Sequence, residues 1–133
     1  IIILNLESKK TIVEKSAKDL FALLENVANF ERLMPDNISK FQMLSEQSFV
    51  FALKGMPEIS LEKKSSTPSS QLVLGEAKGK IPFQLTANIT EVSNNESEVQ
   101  LLFEGNFNPI MAMMVKTPIS KFMETLVTKM KEL

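Results

Sequence analysis

The sequence predicts an α+β fold: a curved antiparallel sheet of about seven strands wrapped around a long C-terminal helix, with two short helices between strands 1 and 2. Three observations carry this expectation. From Pro109 to Leu133 the large apolar residues Met111, Val115, Ile119, Phe122, Leu126, Met130 and Leu133 recur three or four apart, which is one stripe of a helix. From Ile38 to Phe107 the apolar period is two, with turn-forming residues at short intervals, the pattern of an antiparallel meander. Between Ser16 and Met34 lie two brief helical patterns, each too short to hold unless it docks on something larger.

Residues 2–14 read as the first strand. Leu4, Leu6 and Ser8 alternate with Asn5, Glu7 and Lys9, and Thr11-Ile12-Val13 is β-branched. Ser16 is placed to cap the first short helix, and Asp19 adds negative charge to its first turn. Leu20, Phe21, Leu23 and Leu24 form its apolar stripe. The second short helix runs from Val27 to Met34 and carries Phe30, Leu33 and Met34. It stops at Met34-Pro35, because the residue before a proline is pushed out of the helical region.

Opposite residues in a hairpin have a constant index sum and share a face, so the register of the meander can be tested turn by turn. A two-residue turn at Thr67-Pro68 pairs Ile59 with Glu76, Leu61 with Leu74 and Lys63 with Leu72. A turn at Gly79-Lys80, with glycine first as a type II′ turn requires, sets Glu76 opposite Phe83, Leu74 opposite Leu85 and Leu72 opposite Ala87. Around Asn94 the chain turns again and puts Ala87 against Leu101 and Leu85 against Phe103. A turn near Met56-Pro57 matches Leu53 with Ile59 and Phe51 with Leu61, and one near Glu46 matches Phe51 with Phe41 and Phe49 with Met43. One apolar face survives every turn. The other is polar except for Val50, Val73 and Leu102, as expected of an antiparallel sheet closed over a core on one side.

The terminal helix begins at Asn108, an N-cap residue, and Pro109, a first helical position where the missing N–H costs nothing. At about 1.5 Å per residue it is roughly 37 Å long. Pro118 interrupts it. Either it kinks the helix and loosens residues 109–117, or Thr117-Pro118 starts a second helix after a short first one.

Composition bounds the function. A chain of 133 residues with 44% hydrophobic and 23% charged content is expected to be one globular domain over residues 1–133. Its net charge of −1 is interspersed, so nucleic acid and anionic membrane are poor guesses as partners. The longest apolar run, Ile110 to Val115, is far too short for a membrane segment, and a cytoplasmic location is the default expectation. The chain opens Ile1-Ile2-Ile3-Leu4 without a methionine, leaving open where its true start lies. Cysteine, histidine, tryptophan and tyrosine are all absent. That excludes disulfides, thiol chemistry, metal sites built from Cys and His, and Ser-His or Cys-His nucleophiles. No catalytic residue, metal ligand or cofactor is expected.

The stretches Lys15-Ser16-Ala17-Lys18-Asp19-Leu20-Phe21-Ala22-Leu23-Leu24 and Phe30-Glu31-Arg32-Leu33-Met34-Pro35, within this element order, resemble the entry of the START and SRPBCC superfamily into its two small helices. This is the helix-grip fold of the birch-pollen-allergen proteins, polyketide cyclases and coenzyme-Q-binding proteins. The resemblance implies a cavity between sheet and C-terminal helix that takes up a lipid, sterol, polyketide or other apolar molecule. The lining expected on this basis comprises Phe49, Phe51, Leu61, Leu74, Glu76, Phe83, Leu85, Leu101 and Phe103 from the sheet and Met111, Met114, Val115, Ile119 and Phe122 from the helix. Methionines suit an adaptable pocket because thioethers repack at low cost, although a filled core would use the same residues.

Three polar groups compete for a role. Glu76 and Lys63 fall on the apolar face and would serve a cyclase- or hydratase-type reaction with water, or else reach solvent from their strand ends. On the expected register they lie too far apart to pair. Arg32, the only arginine, would either clamp an anionic head group at the cavity mouth or pair with Glu31 or Asp36 in solvent. Binding of a hydrophobic small molecule is the leading expectation. The alternatives are that enzyme and a protein-interaction module using Val50, Val73 and Leu102 on the sheet exterior.

Overall fold

The computed structural model describes residues 2–77 and 83–133. The strand expected over residues 2–14 is divided into β1 (Ile2–Glu7) and β2 (Thr11–Val13), both antiparallel to the last strand. The division is at Ser8, which keeps the ladder satisfied across it. Its N–H donates to the Leu101 carbonyl at 2.9 Å, and its hydroxyl accepts from the Leu101 N–H at 2.9 Å.

Helix α1 (Ala17–Glu25) starts as expected, with the Ser16 hydroxyl accepting from the Asp19 N–H at 3.1 Å. It buries Ala17, Leu20, Phe21 and Leu24. The second short helix is a 3-10 helix, Val27–Leu33, and Met34 leaves it in extended conformation ahead of Pro35. The meander follows as β3 (Ile38–Ser45), β4 (Ser48–Leu53), β5 (Ile59–Thr67), β6 (Gln71–Glu76), β7 (Phe83–Ser93) and β8 (Glu96–Phe107). The sheet order is β1-β8-β7-β6-β5-β4-β3, with β2 beside β8, eight strands in all. Helix α2 (Pro109–Met130) closes the structure, with Asn108 accepting from the Met111 N–H at 2.9 Å.

Three of the five expected registers are observed. Met43 faces Phe49 and Phe41 faces Phe51; Leu74 faces Leu85 and Leu72 faces Ala87; Leu85 faces Phe103 and Ala87 faces Leu101. The turn expected at Gly79-Lys80 itself lies outside the described residues. Two registers differ. Leu61 faces Glu76 rather than Leu74, because Thr67 pairs with Gln71 across a three-residue connection in which Ser69 takes φ +64°, and a bulge at Lys64 absorbs one more residue. Likewise Phe51 faces Ile59 and Phe49 faces Leu61, because the β4–β5 connection is wider than a two-residue turn and bends at Gly55, φ +84°. At Leu61 and at Phe51 the displacement is two residues, so the apolar side chains stay on the core face.

That face packs against α1, the 3-10 helix and α2 to give one apolar core. Two polar contacts hold α2 in place. The Lys9 N–H donates to Glu124 Oε1 at 2.8 Å, and Lys129 Nζ donates to the Met34 carbonyl at 2.6 Å. On the sheet exterior Val50 is buried and Val73 and Leu102 are half-buried, so none of the three offers an exposed apolar spot.

Candidate functional site

The residues expected to wall a central cavity are brought together, and they pack on one another. Phe49, Phe51, Leu61, Leu74, Leu85, Leu101 and Phe103 are buried on the inner sheet face, with Val115 and Phe122 opposite them on α2. The Phe51 and Phe122 rings stack at 4.9 Å and 7°, bridging sheet and helix directly. Phe49 lies 5.5 Å from Phe30 and 5.1 Å from Phe41, extending the same ring cluster. A second cluster joins Phe83, Phe103 and Phe107 over Gly105, where a Cβ would come within 2.7 Å of Phe107 and 2.9 Å of Phe83. Glycine there lets the rings close down on the sheet.

Other expected lining residues fall elsewhere. Phe83, Glu76, Met111 and Ile119 are half-buried at the margins. Met114 is 63% exposed, and Met113 beside it 82%. The buried stripe of α2 runs instead through Ala112, Val115, Phe122, Met123, Leu126, Val127 and Met130, which leaves Met114 on the solvent side. Arg32 is also exposed, and its expected partner Asp36 faces Lys129 at 3.7 Å. Lys63 Nζ lies 3.9 Å from Glu25 Oε2 at the end of α1. The observed register makes Lys63 and Glu76 diagonal neighbours on one face, closer than expected from the sequence.

A cleft opens beside Pro118. Pro118 lies inside a continuous α2, so it neither ends nor restarts the helix; its missing N–H leaves the Met114 carbonyl without its i+4 donor. Beside it is a half-enclosed cavity of about 420 Å³. Its apolar walls are Pro35, Leu53, Met56, Pro118 and Phe122, and its polar groups are Asn37, Lys54, Thr117, Lys121 and Thr125. Three segments meet here: the exit from the 3-10 helix, the β4–β5 connection and the middle of α2. Of these ten residues only Phe122 is an expected lining residue, and Pro118 the expected break. Met56, an apolar side chain inside a Gly-Pro turn, was the local signal for the rest.

No group of three or more potential metal ligands occurs among the described residues. No described helix is long and apolar enough to cross a membrane.

Comparison with solved structures identifies the architecture. An aromatase/cyclase, Zhui, from Streptomyces sp. R1128 superposes with TM-score 0.79 at 10% identity, over 98% of this chain and 93% of that one. A START superfamily protein from Mycobacterium smegmatis gives 0.72 at 12%, over 98% and 94%. The chain has the START/SRPBCC helix-grip fold. A truncated norcoclaurine synthase from Thalictrum flavum, at TM-score 0.77 and 9% identity over 98% and 92%, shares the helix-grip arrangement. A scan against family models and a search of curated proteins return no match. At these identities the likeness concerns the fold, and the chemistry of the site has to be read from its own residues.

Proposed function

We propose that this helix-grip protein binds a hydrophobic small molecule, of lipid, polyketide or quinone type, without transforming it, and that the ligand enters between α2 and the β4–β5 connection. The observation that carries this reading is the cleft at Pro118. Its volume of about 420 Å³ lies in the range of small-molecule sites, and its floor is apolar. Phe122 is shared between core and cleft, and Phe51 stacks on it from the sheet. The cleft lining contains no carboxylate and no histidine, which favours binding over the cyclase-type alternative at this site.

The test is a thermal-shift titration against a panel of apolar dyes, fatty acids and polyketides, repeated on Thr117→Trp. Thr117 is exposed at the cleft rim, so the indole fills the opening without entering the core. A ligand at 100 times its dissociation constant stabilises by about 2.7 kcal/mol, a melting shift of roughly 10 °C for a chain of this size. Such a shift in the parent protein and its loss in Thr117→Trp is the expected result. No shift across the panel, or equal shifts in both proteins, refutes binding at this cleft.

A further inference from the structure

We infer that the molecule taken up at the Pro118 cleft is an anionic amphiphile, its acidic head held between Lys54 and Lys121. The inference rests on the binding reading above and narrows it to a ligand class. Both lysines line the cleft from facing elements, Lys54 from the β4–β5 connection and Lys121 from α2, and both are exposed at its rim. The ion pairs among the described residues engage Lys40, Lys63, Lys64 and Lys129, leaving Lys54 and Lys121 without a carboxylate.

The acids that flank the lining segments have other partners, Glu124 among them, which accepts from the Lys9 backbone N–H at 2.8 Å. Glu58 binds Lys40 at 2.9 Å, and Asp36 faces Lys129. Helix α2 itself carries no acid before Glu124, while Lys116 and Lys121 precede it. A protein of net charge −1 therefore presents a locally positive mouth above an apolar floor. An alkyl chain seated against Leu53, Met56 and Phe122 would place a carboxylate, sulfate or phosphate head at the rim, within the positive field of both ammonium groups. A neutral alcohol would gain the apolar contact alone, and a cationic head would meet like charge.

The experiment is calorimetric titration of the full chain with decanoate, decanol and decyltrimethylammonium below their micellar concentrations, since the three share a chain and differ in head charge. Decanoate is expected to bind at least tenfold tighter than decanol, with decyltrimethylammonium weakest. Added salt should erode the advantage of decanoate and leave decanol unchanged. Lys54→Gln and Lys121→Gln remove the charge and leave an unbranched polar side chain at the rim, and each should weaken decanoate severalfold while decanol changes far less. Equal affinities for decanoate and decanol, or decanoate affinity untouched in the double variant, overturn the head-group assignment while binding at the cleft stands. Failure of all three probes to bind, with phosphate- and sulfate-headed decyl chains also silent, overturns both readings together.

Discussion

Beyond Pro118, α2 buries Phe122, Met123, Leu126, Val127 and Met130 against the sheet, whereas before it Ile110, Met113 and Met114 stand 72%, 82% and 63% exposed. One continuous helix thus has a gripped half and a loosely held half. The gripped half is anchored by Glu124 to Lys9 and by Lys129 to Met34; the other half relies on its Asn108 cap and on Ala112 and Val115. Methionine and aliphatic residues occur in both halves, so composition does not separate them. What separates them is burial: the second half packs Phe122 on Phe51 and buries its apolar stripe, and the first half leaves Ile110, Met113 and Met114 in solvent. The cleft lies at the junction, lined from α2 by Thr117, Pro118, Lys121, Phe122 and Thr125. The contrast makes the stretch around Pro118, where the helix changes character, the place to test the proposed binding.

Truncation should expose the contrast most strongly. Phe49 is fully buried between Phe30, Phe41 and Phe51, and Phe49→Ala should cost about 3–5 kcal/mol in urea denaturation. Met113→Ala should stay within about 0.5 kcal/mol, and comparable losses at the two sites would erase the distinction. Pro118→Ala acts on the boundary itself. It supplies the missing N–H to the Met114 carbonyl and should raise stability by roughly 1–3 kcal/mol, while slowing amide exchange in residues 112–118. Unchanged exchange there would mean that the proline is not what loosens the first half. A smaller gain than at Pro118 is expected at Ser97, fully buried in β8 with no hydrogen-bond partner for its hydroxyl among the described residues. Ser97→Ala removes that orphan group and should stabilise by up to about 1 kcal/mol, read from the denaturation midpoint; a loss would indicate that the hydroxyl is satisfied.

Much of this architecture is legible in the sequence because its signals are local. The caps at Ser16 and Asn108, the stop at Met34-Pro35 and the alternation along β7 and β8 are each decided by neighbouring residues. Connection lengths are less legible. Ser69 adopts a left-handed backbone that serine rarely takes and the Lys64 bulge has no side-chain signature, so the β5–β6 register slides by a pair of residues, and the β4–β5 register slides likewise where its connection bends at Gly55. The cleft is harder still, since Pro35, Met56 and Thr117 are distant in sequence and meet only in three dimensions. Spacing alone places Met114 inward, on a stripe drawn through Met111; the observed stripe passes through Ala112, one residue round the helix.

The placement of β1 beside β8 has a consequence for biosynthesis. Ile2 to Glu7 pair with Leu102 to Phe107, so once β1 has left the ribosome it waits for almost the whole meander before its partner exists. At about 5–20 residues per second that delay is on the order of 5–20 s. The helix that covers the core follows later still, so the nascent chain carries an uncovered, phenylalanine-rich surface until the final turns emerge, and chaperone occupancy should fall only once α2 has been translated.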